Sequence, residues 1–135
     1  NYRPILLKVS PDLSHQQLDD IIDYCLRSGI DGIVAGNTTR SRDGITSIPK
    51  EKIEAIGNGG MSGAPLYSKN LELVKYVHAK SEGKLPIIGV GGIMSPEQAK
   101  EMMDAGASLV EIYSGFIYEG PALIKNINKH LENTL

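Results

Sequence analysis

The chain has 135 residues, 41% hydrophobic and 22% charged, with 14 basic against 16 acidic side chains, a composition that fits one ordinary folded domain and excludes a disordered or fibrous chain. A net charge of −2, with Lys and Arg scattered, leaves no basic surface for the phosphate contacts that dominate nucleic-acid affinity, so nucleic acid is not an expected partner. The single cysteine, Cys25, can form neither an internal disulfide nor a cysteine-based metal site, which fits a reducing cytoplasmic setting, and no run reaches the roughly 20 apolar residues that span a bilayer.

Pro4 to Val9 is an apolar run closed by Ser10-Pro11-Asp12, the pattern of a strand buried on both faces. It begins so soon after Asn1 that the sequence reads as a fragment of a longer chain. Ser14 and Gln17 form a capping box, and Leu18, Ile21, Ile22, Cys25 and Leu26 follow at helical spacing to a stop at Gly29, which predicts a helix over 15–28. Gly32 to Gly36 is a second strand. The connection from Asn37 to about Tyr67 is far longer than the usual two to six residues of a βα loop and contains Gly44, Pro49, Gly57, Gly59, Gly60, Gly63 and Pro65. Ile53 and Ile56 suggest one short helical turn within it.

Leu71, Val74 and Val77 after Ser68 mark a second long helix, and Pro86 to Val90 a third strand. Ser95-Pro96-Glu97-Gln98 is a strong helix start, with an N-cap, Pro at the first helical position, an acid in the first turn and a capping-box Gln. That helix stops at Gly106. Leu109 to Tyr113 is a fourth strand, Phe116 to Tyr118 a short helical turn, and Pro121 opens a last helix with Leu123, Ile124, Ile127 and Leu131 on one stripe.

Strict βαβαβαβα alternation implies an α/β fold with a parallel sheet, either doubly wound or part of an eight-stranded barrel. Four units in 135 residues average about 34 each, so eight need about 270, close to a whole (β/α)8 barrel. Residues 1–135 therefore read as a single partial domain, four consecutive βα units forming the C-terminal half of a TIM barrel. The long loop then lies at the C-terminal face of the strands, where barrel active sites lie.

Two glycine-bearing turns, Gly91-Gly92 and Ser114-Gly115, follow successive strands. Backbone N–H groups can approach a phosphate only where side chains are absent, so the pair points to a phosphate ligand; tight turning alone is the plainer reading of either turn by itself. Lys8 is a cation in an otherwise apolar strand and must reach the barrel mouth or interior, where it stabilises an anion, forms a Schiff base or extends to water. Asn37-Thr38-Thr39 offers amide and hydroxyl groups at the same face, suited to a small polar ring, although such residues also start loops well. Met61-Ser62-Gly63 either brings backbone N–H groups over a ligand or acts as a hinge. Glu111 on a buried strand needs a polar partner. Cys25 belongs to helix packing; His15, His78 and His130 read as solvated, without metal-ligand spacing, and Arg40 and Arg42 as loop residues without a role.

Leu7-Lys8-Val9-Ser10-Pro11-Asp12, Asn37-Thr38-Thr39, Gly59-Gly60-Met61-Ser62-Gly63-Ala64-Pro65-Leu66, Ile88-Gly89-Val90-Gly91-Gly92-Ile93 and Ile112-Tyr113-Ser114-Gly115-Phe116, taken in order, resemble the C-terminal half of the dihydroorotate dehydrogenase family, and most closely its quinone-dependent, membrane-associated branch. The resemblance implies an FMN enzyme of pyrimidine biosynthesis that oxidises dihydroorotate to orotate, peripheral on the cytoplasmic membrane and using quinone as acceptor. It places Lys8 near the pyrimidine edge of the flavin and Gly36 at a backbone flavin contact. It assigns Gly63, Gly92, Tyr113 and Ser114 to FMN, the last three around its phosphate, and Asn37 and Thr38 to the substrate ring. Gly36 stands where relatives often carry Thr, and Ala64 where a basic residue is common. The catalytic base of the family, a Ser or Cys on a first-half loop, has no counterpart here and is expected before Asn1, so the chain is not expected to turn over alone. Another FMN barrel oxidoreductase, or a non-catalytic phosphate- or flavin-binding half-barrel, are the rival readings. An uncovered half-barrel also predicts self-association through its edges.

Overall fold

The computed structural model describes residues 1–43, 45–46 and 48–134; Gly44, one of the loop glycines named above, lies outside the described residues. Four strands, β1 (Leu6–Val9), β2 (Gly32–Ala35), β3 (Ile87–Val90) and β4 (Leu109–Glu111), form one parallel sheet in the order β1-β2-β3-β4. A doubly wound sheet reverses direction at a switch point, whereas a barrel adds each strand beside the last. The unreversed order is that of successive barrel strands, as the alternation and unit length predict.

Helices α1 (His15–Ser28), α3 (Tyr67–Lys80), α4 (Pro96–Asp104) and α6 (Pro121–Thr134) connect or follow the strands, with short helices α2 (Lys50–Ala55) and α5 (Ser114–Glu119) inside loops. The register sorts the side chains into two faces. Leu7, Ile33 and Ile87 share one row and Val9, Ala35, Gly89 and Val110 another, and these pack into a continuous core with Ile22, Cys25, Val74, Val77, Met102 and Ile127 of the helices. The intervening row, Lys8, Val34, Ile88 and Leu109, faces away from the helices. Lys8 is exposed and Leu109 is 62% exposed. The expectation that the first strand is buried on both faces is therefore corrected: the helices cover one face only. Glu111, expected to need a polar partner, is exposed and has none among the described residues.

Most local signals act as the sequence predicts. Ser14 accepts from the Gln17 N–H and the Gln17 side chain accepts from the Ser14 N–H, closing the capping box of α1, and Gly29 ends it in the left-handed region. Leu18, Ile22 and Cys25 are buried on that helix, while Leu26, at the margin of the stripe, is not. Ser95 caps α4, but Gln98 accepts from the N–H of Met94, one residue outside the expected capping box. Ser68 is not a cap: α3 starts at Tyr67 as the continuation of a 3₁₀ turn over Ala64–Leu66, so Ser68 lies inside its first turn. The fourth strand ends at Glu111 rather than Tyr113. The short helical turn expected near Ile53 is α2, and His15 is exposed, as expected, with its ring stacked on Tyr76 at a centroid distance of 4.4 Å.

Candidate functional site

A parallel sheet collects its loops by end: every strand terminates at the same edge, and whatever follows each strand converges there. Lys8, Asn37 and Thr38, Gly92, and Tyr113 and Ser114 come from the C-terminal ends of β1, β2, β3 and β4 in turn, and all line one cavity of about 370 Å³. Gly36 lines it at the end of β2, and Gly63 reaches it from the long loop. All eight residues assigned from the sequence thus share one cavity, together with Ser62, Leu66, Val90, Gly91, Ile93, Glu111 and Ile112, which that assignment omits.

The cavity has a direction. Near β1 and β2 it is lined by groups that can read a ring edge: the Lys8 ammonium, without an ion-pair partner among the described residues, and the Asn37 and Thr38 side chains. Asn37 Oδ1 accepts from the Thr38 N–H at 2.8 Å, which fixes the side chain and leaves its NH₂ to face a ligand. Near β3 and β4 the lining combines Gly91 and Gly92, the Tyr113 and Ser114 hydroxyls, the apolar Val90, Ile93 and Ile112, and the Glu111 carboxylate. Gly92 has φ +81°, and a Cβ there would collide with the backbone of Tyr67 at the start of α3, so only glycine lets these segments meet. A Cβ at Gly63 would stand 3.9 Å from that of Ser114, so the long loop closes against the start of α5. Among the described residues no Lys or Arg lines this end, and a phosphate here would be held by backbone N–H groups and the Ser114 hydroxyl. Side-chain-free turns at one end and amide, hydroxyl and ammonium groups at the other fit FMN, whose phosphate and ring lie at opposite ends.

Behind the lining, a polar cluster fixes the loop after β2. Thr39, 2% exposed, donates from Oγ1 to Asp12 Oδ1 at 2.5 Å, the Arg40 N–H donates to Asp12 Oδ2 at 2.8 Å, and Lys69 Nζ donates to Asp12 Oδ1 at 2.5 Å. Burial works against the Asp12 charge, but the bonds from Lys69, Thr39 and Arg40 outweigh it and hold the carboxyl down to about 2. On the far side of Thr39, its backbone exchanges two hydrogen bonds with Met61, at 3.1 and 2.8 Å. The Arg42 guanidinium, given no role from sequence, donates to the carbonyls of Thr39 and Gly59 and joins the two ends of the loop. Tyr67 donates to Glu101 Oε2 at 2.6 Å; burial first, and then that carboxylate, push its hydroxyl pKa upward.

Asp12 and Lys69 were not legible as site-supporting residues, because their partners lie 27 and 57 residues apart in sequence. Asn70 did leave a signal: it is a polar residue on the apolar stripe formed by Leu66, Leu73, Val74 and Val77.

Comparison with known proteins places this arrangement. The family model for dihydroorotate dehydrogenase matches residues 1–135. The dihydroorotate dehydrogenase (quinone) of Christiangramia forsetii is 50% identical over 129 residues, 96% of this chain and 36% of that protein. That of Salinispora arenicola is 46% identical over 123 residues, 91% of this chain and 36% of that protein. The ligand-free DHODH of Eimeria tenella superimposes with a TM-score of 0.87 at 34% identity, covering 97% of this chain and 36% of that one. The chain thus spans about 36% of the length of these relatives. With the family model matched from end to end, the chain belongs to the dihydroorotate dehydrogenase family.

Proposed function

We propose that this chain supplies much of the FMN site and part of the substrate site of a quinone-dependent dihydroorotate dehydrogenase, which oxidises dihydroorotate to orotate in pyrimidine biosynthesis. The observation that carries this reading is the convergence of all eight assigned residues on one cavity. The family match and the relatives named dihydroorotate dehydrogenase (quinone) support the reaction and the acceptor. FMN, when bound, supplies the two-electron acceptance that oxidation of the substrate ring requires. Lys8 places a positive charge where the pyrimidine edge of the ring gains negative charge, Gly36 presents backbone, and Asn37 and Thr38 orient the substrate through hydrogen bonds. Gly63, Gly92, Tyr113 and Ser114 seat the cofactor, the last three around its phosphate.

None of these residues is assigned as the base that takes the substrate proton, and that group is proposed to lie outside the chain. We propose peripheral membrane association for the whole protein on its likeness to the quinone-dependent relatives; among the described residues no helix is long and apolar enough to cross a membrane.

Titration of the chain with FMN, followed by flavin fluorescence, tests the assignment. Saturable binding is expected, with Lys8→Ala and Ser114→Ala each weakening it about tenfold, the scale of one hydrogen bond to a charged group. Equal affinity for both variants and the parent would put the flavin elsewhere. Binding without turnover of dihydroorotate is expected and agrees with an external base.

A further inference from the structure

Asn70, in the first turn of α3, is fully buried, and neither its Nδ2 nor its Oδ1 has a hydrogen-bond partner among the described residues. Leu66, Leu73, Val74 and Val77 on the same helical stripe are apolar and buried. A carboxamide removed from water without partners is destabilising, because the hydrogen bonds it made to water are not replaced. An apolar side chain of the same size would fill this place without that cost, so packing alone gives no reason for an amide.

Its surroundings supply one. Gly36, after β2, and Gly91, after β3, both line the cavity. A Cβ at Gly36 would run into Asn70 Oδ1, and a Cβ at Gly91 into Asn70 Nδ2. The amide therefore fills the space that side chains at these two neighbouring strand ends would occupy, with its acceptor beside one glycine and its donor beside the other. Backbone alone, joined by the bond from the Gly36 N–H to the Val90 carbonyl at 3.2 Å, separates it from the cavity. A primary amide offers a donor and an acceptor side by side, so it can pair with the backbone of both segments at once.

We propose that Asn70 is a positioning residue for a flat heteroaromatic ligand in this cavity. Its carboxamide sets the level of the Gly36 and Gly91 segments and gains its missing hydrogen bonds from their backbone when a ligand seats both segments. The inference rests on the flavin reading above and adds a residue that neither the motifs nor the cavity lining includes. It also predicts opposite signs for two quantities that a purely structural role would move together. Removing the amide relieves the ligand-free protein of an unsatisfied group, and at the same time weakens the bound state.

The test uses the 135-residue chain and its Asn70→Leu variant, close in size and apolar, with Asn70→Ala as a second variant that cannot overcrowd the site. Thermal denaturation without ligand, FMN titration, and the position of the visible absorption band of the bound flavin are measured for all three proteins. The expected result for Asn70→Leu is an unchanged or higher melting temperature, FMN affinity at least fivefold weaker and a displaced flavin band, with Asn70→Ala weakening FMN to a similar degree. FMN affinity within twofold of the parent in both variants overturns the inference, as does a fall in melting temperature that accompanies the loss of affinity in both. Failure of the parent itself to bind FMN defeats the flavin reading and this inference with it, whereas normal binding by parent and variants alike defeats this inference alone.

Discussion

Asp12 decides how firmly the Asn37-Thr38 segment is held, because its carboxylate accepts from Thr39, Arg40 and Lys69 at once. Its pKa in the folded protein, held down to about 2, lies below the ordinary aspartate range, so its contribution to stability is complete above about pH 4 and is lost as the pH falls toward 2. Asp12→Asn keeps the shape and removes the charge. The variant is expected to lose about 1 kcal/mol at neutral pH, the upper range for a partly exposed pair, and to melt at the same temperature as the parent near pH 2. Melting curves from pH 2 to pH 7 check this; a constant gap between the two proteins across that range would show that the charge contributes nothing. Sequence reading registers Asp12 only as the end of a strand-breaking tripeptide, a sound local inference from Ser10-Pro11-Asp12. What it lacks is the partner set, which exists only once β1 and β2 pair and α3 folds over their ends.

Helices α3 and α4 show which element boundaries can be read in advance. The start of α4 is written locally, since Ser95 accepts from the Gln98 N–H and Pro96 fills the position where no N–H is needed, so it is legible from four residues. The start of α3 is set by tertiary contact: Gly92 admits the backbone of Tyr67 so closely that the helix runs straight out of the preceding 3₁₀ turn, and no cap residue marks it. Leu66, in the position before the helix, already has helical backbone angles, which is why the reading from Ser68 falls two residues late. Gly92→Ala is the corresponding prediction. With φ +81° and a Cβ aimed at backbone, it is expected to lower the melting temperature by several degrees and to abolish FMN binding, since the clash cannot be relieved by rotating a side chain. A calorimetric scan with and without FMN measures both effects, and an unperturbed melting temperature would mean that the two segments have more room than their packing indicates.

At the scale of the whole molecule, the strand order and the common edge for all cavity-lining loops follow from βα alternation and were legible from periodicity and unit length. Less legible was the split between the sheet's two faces, because a run such as Ile5-Leu6-Leu7 reads as buried on both sides whatever lies opposite it. Among the described residues β1 pairs with β2 alone and β4 with β3 alone, and Leu109 on β4 is 62% exposed. Unpaired edges beside apolar surface favour pairing with another chain. We propose that the isolated chain associates with itself, and sedimentation velocity is expected to show a dimer or larger species. A single monomeric boundary across a tenfold concentration range would contradict it.

The two hydrogen bonds between Thr39 and Met61 close residues 40–60 into an excursion whose ends meet at one point, with Arg42 bridging the base to Gly59. For a loop closed at its neck, added or removed length costs only the slow logarithm of chain closure, and little of that change reaches the structure below the neck. The segment therefore behaves as a module: its tip can be exchanged, shortened or replaced by a foreign insertion while Asn37, Thr38 and Gly63 keep their places at the cavity. An engineer seeking to attach a reporter, or to reshape the approach to the cavity without disturbing its floor, would cut here.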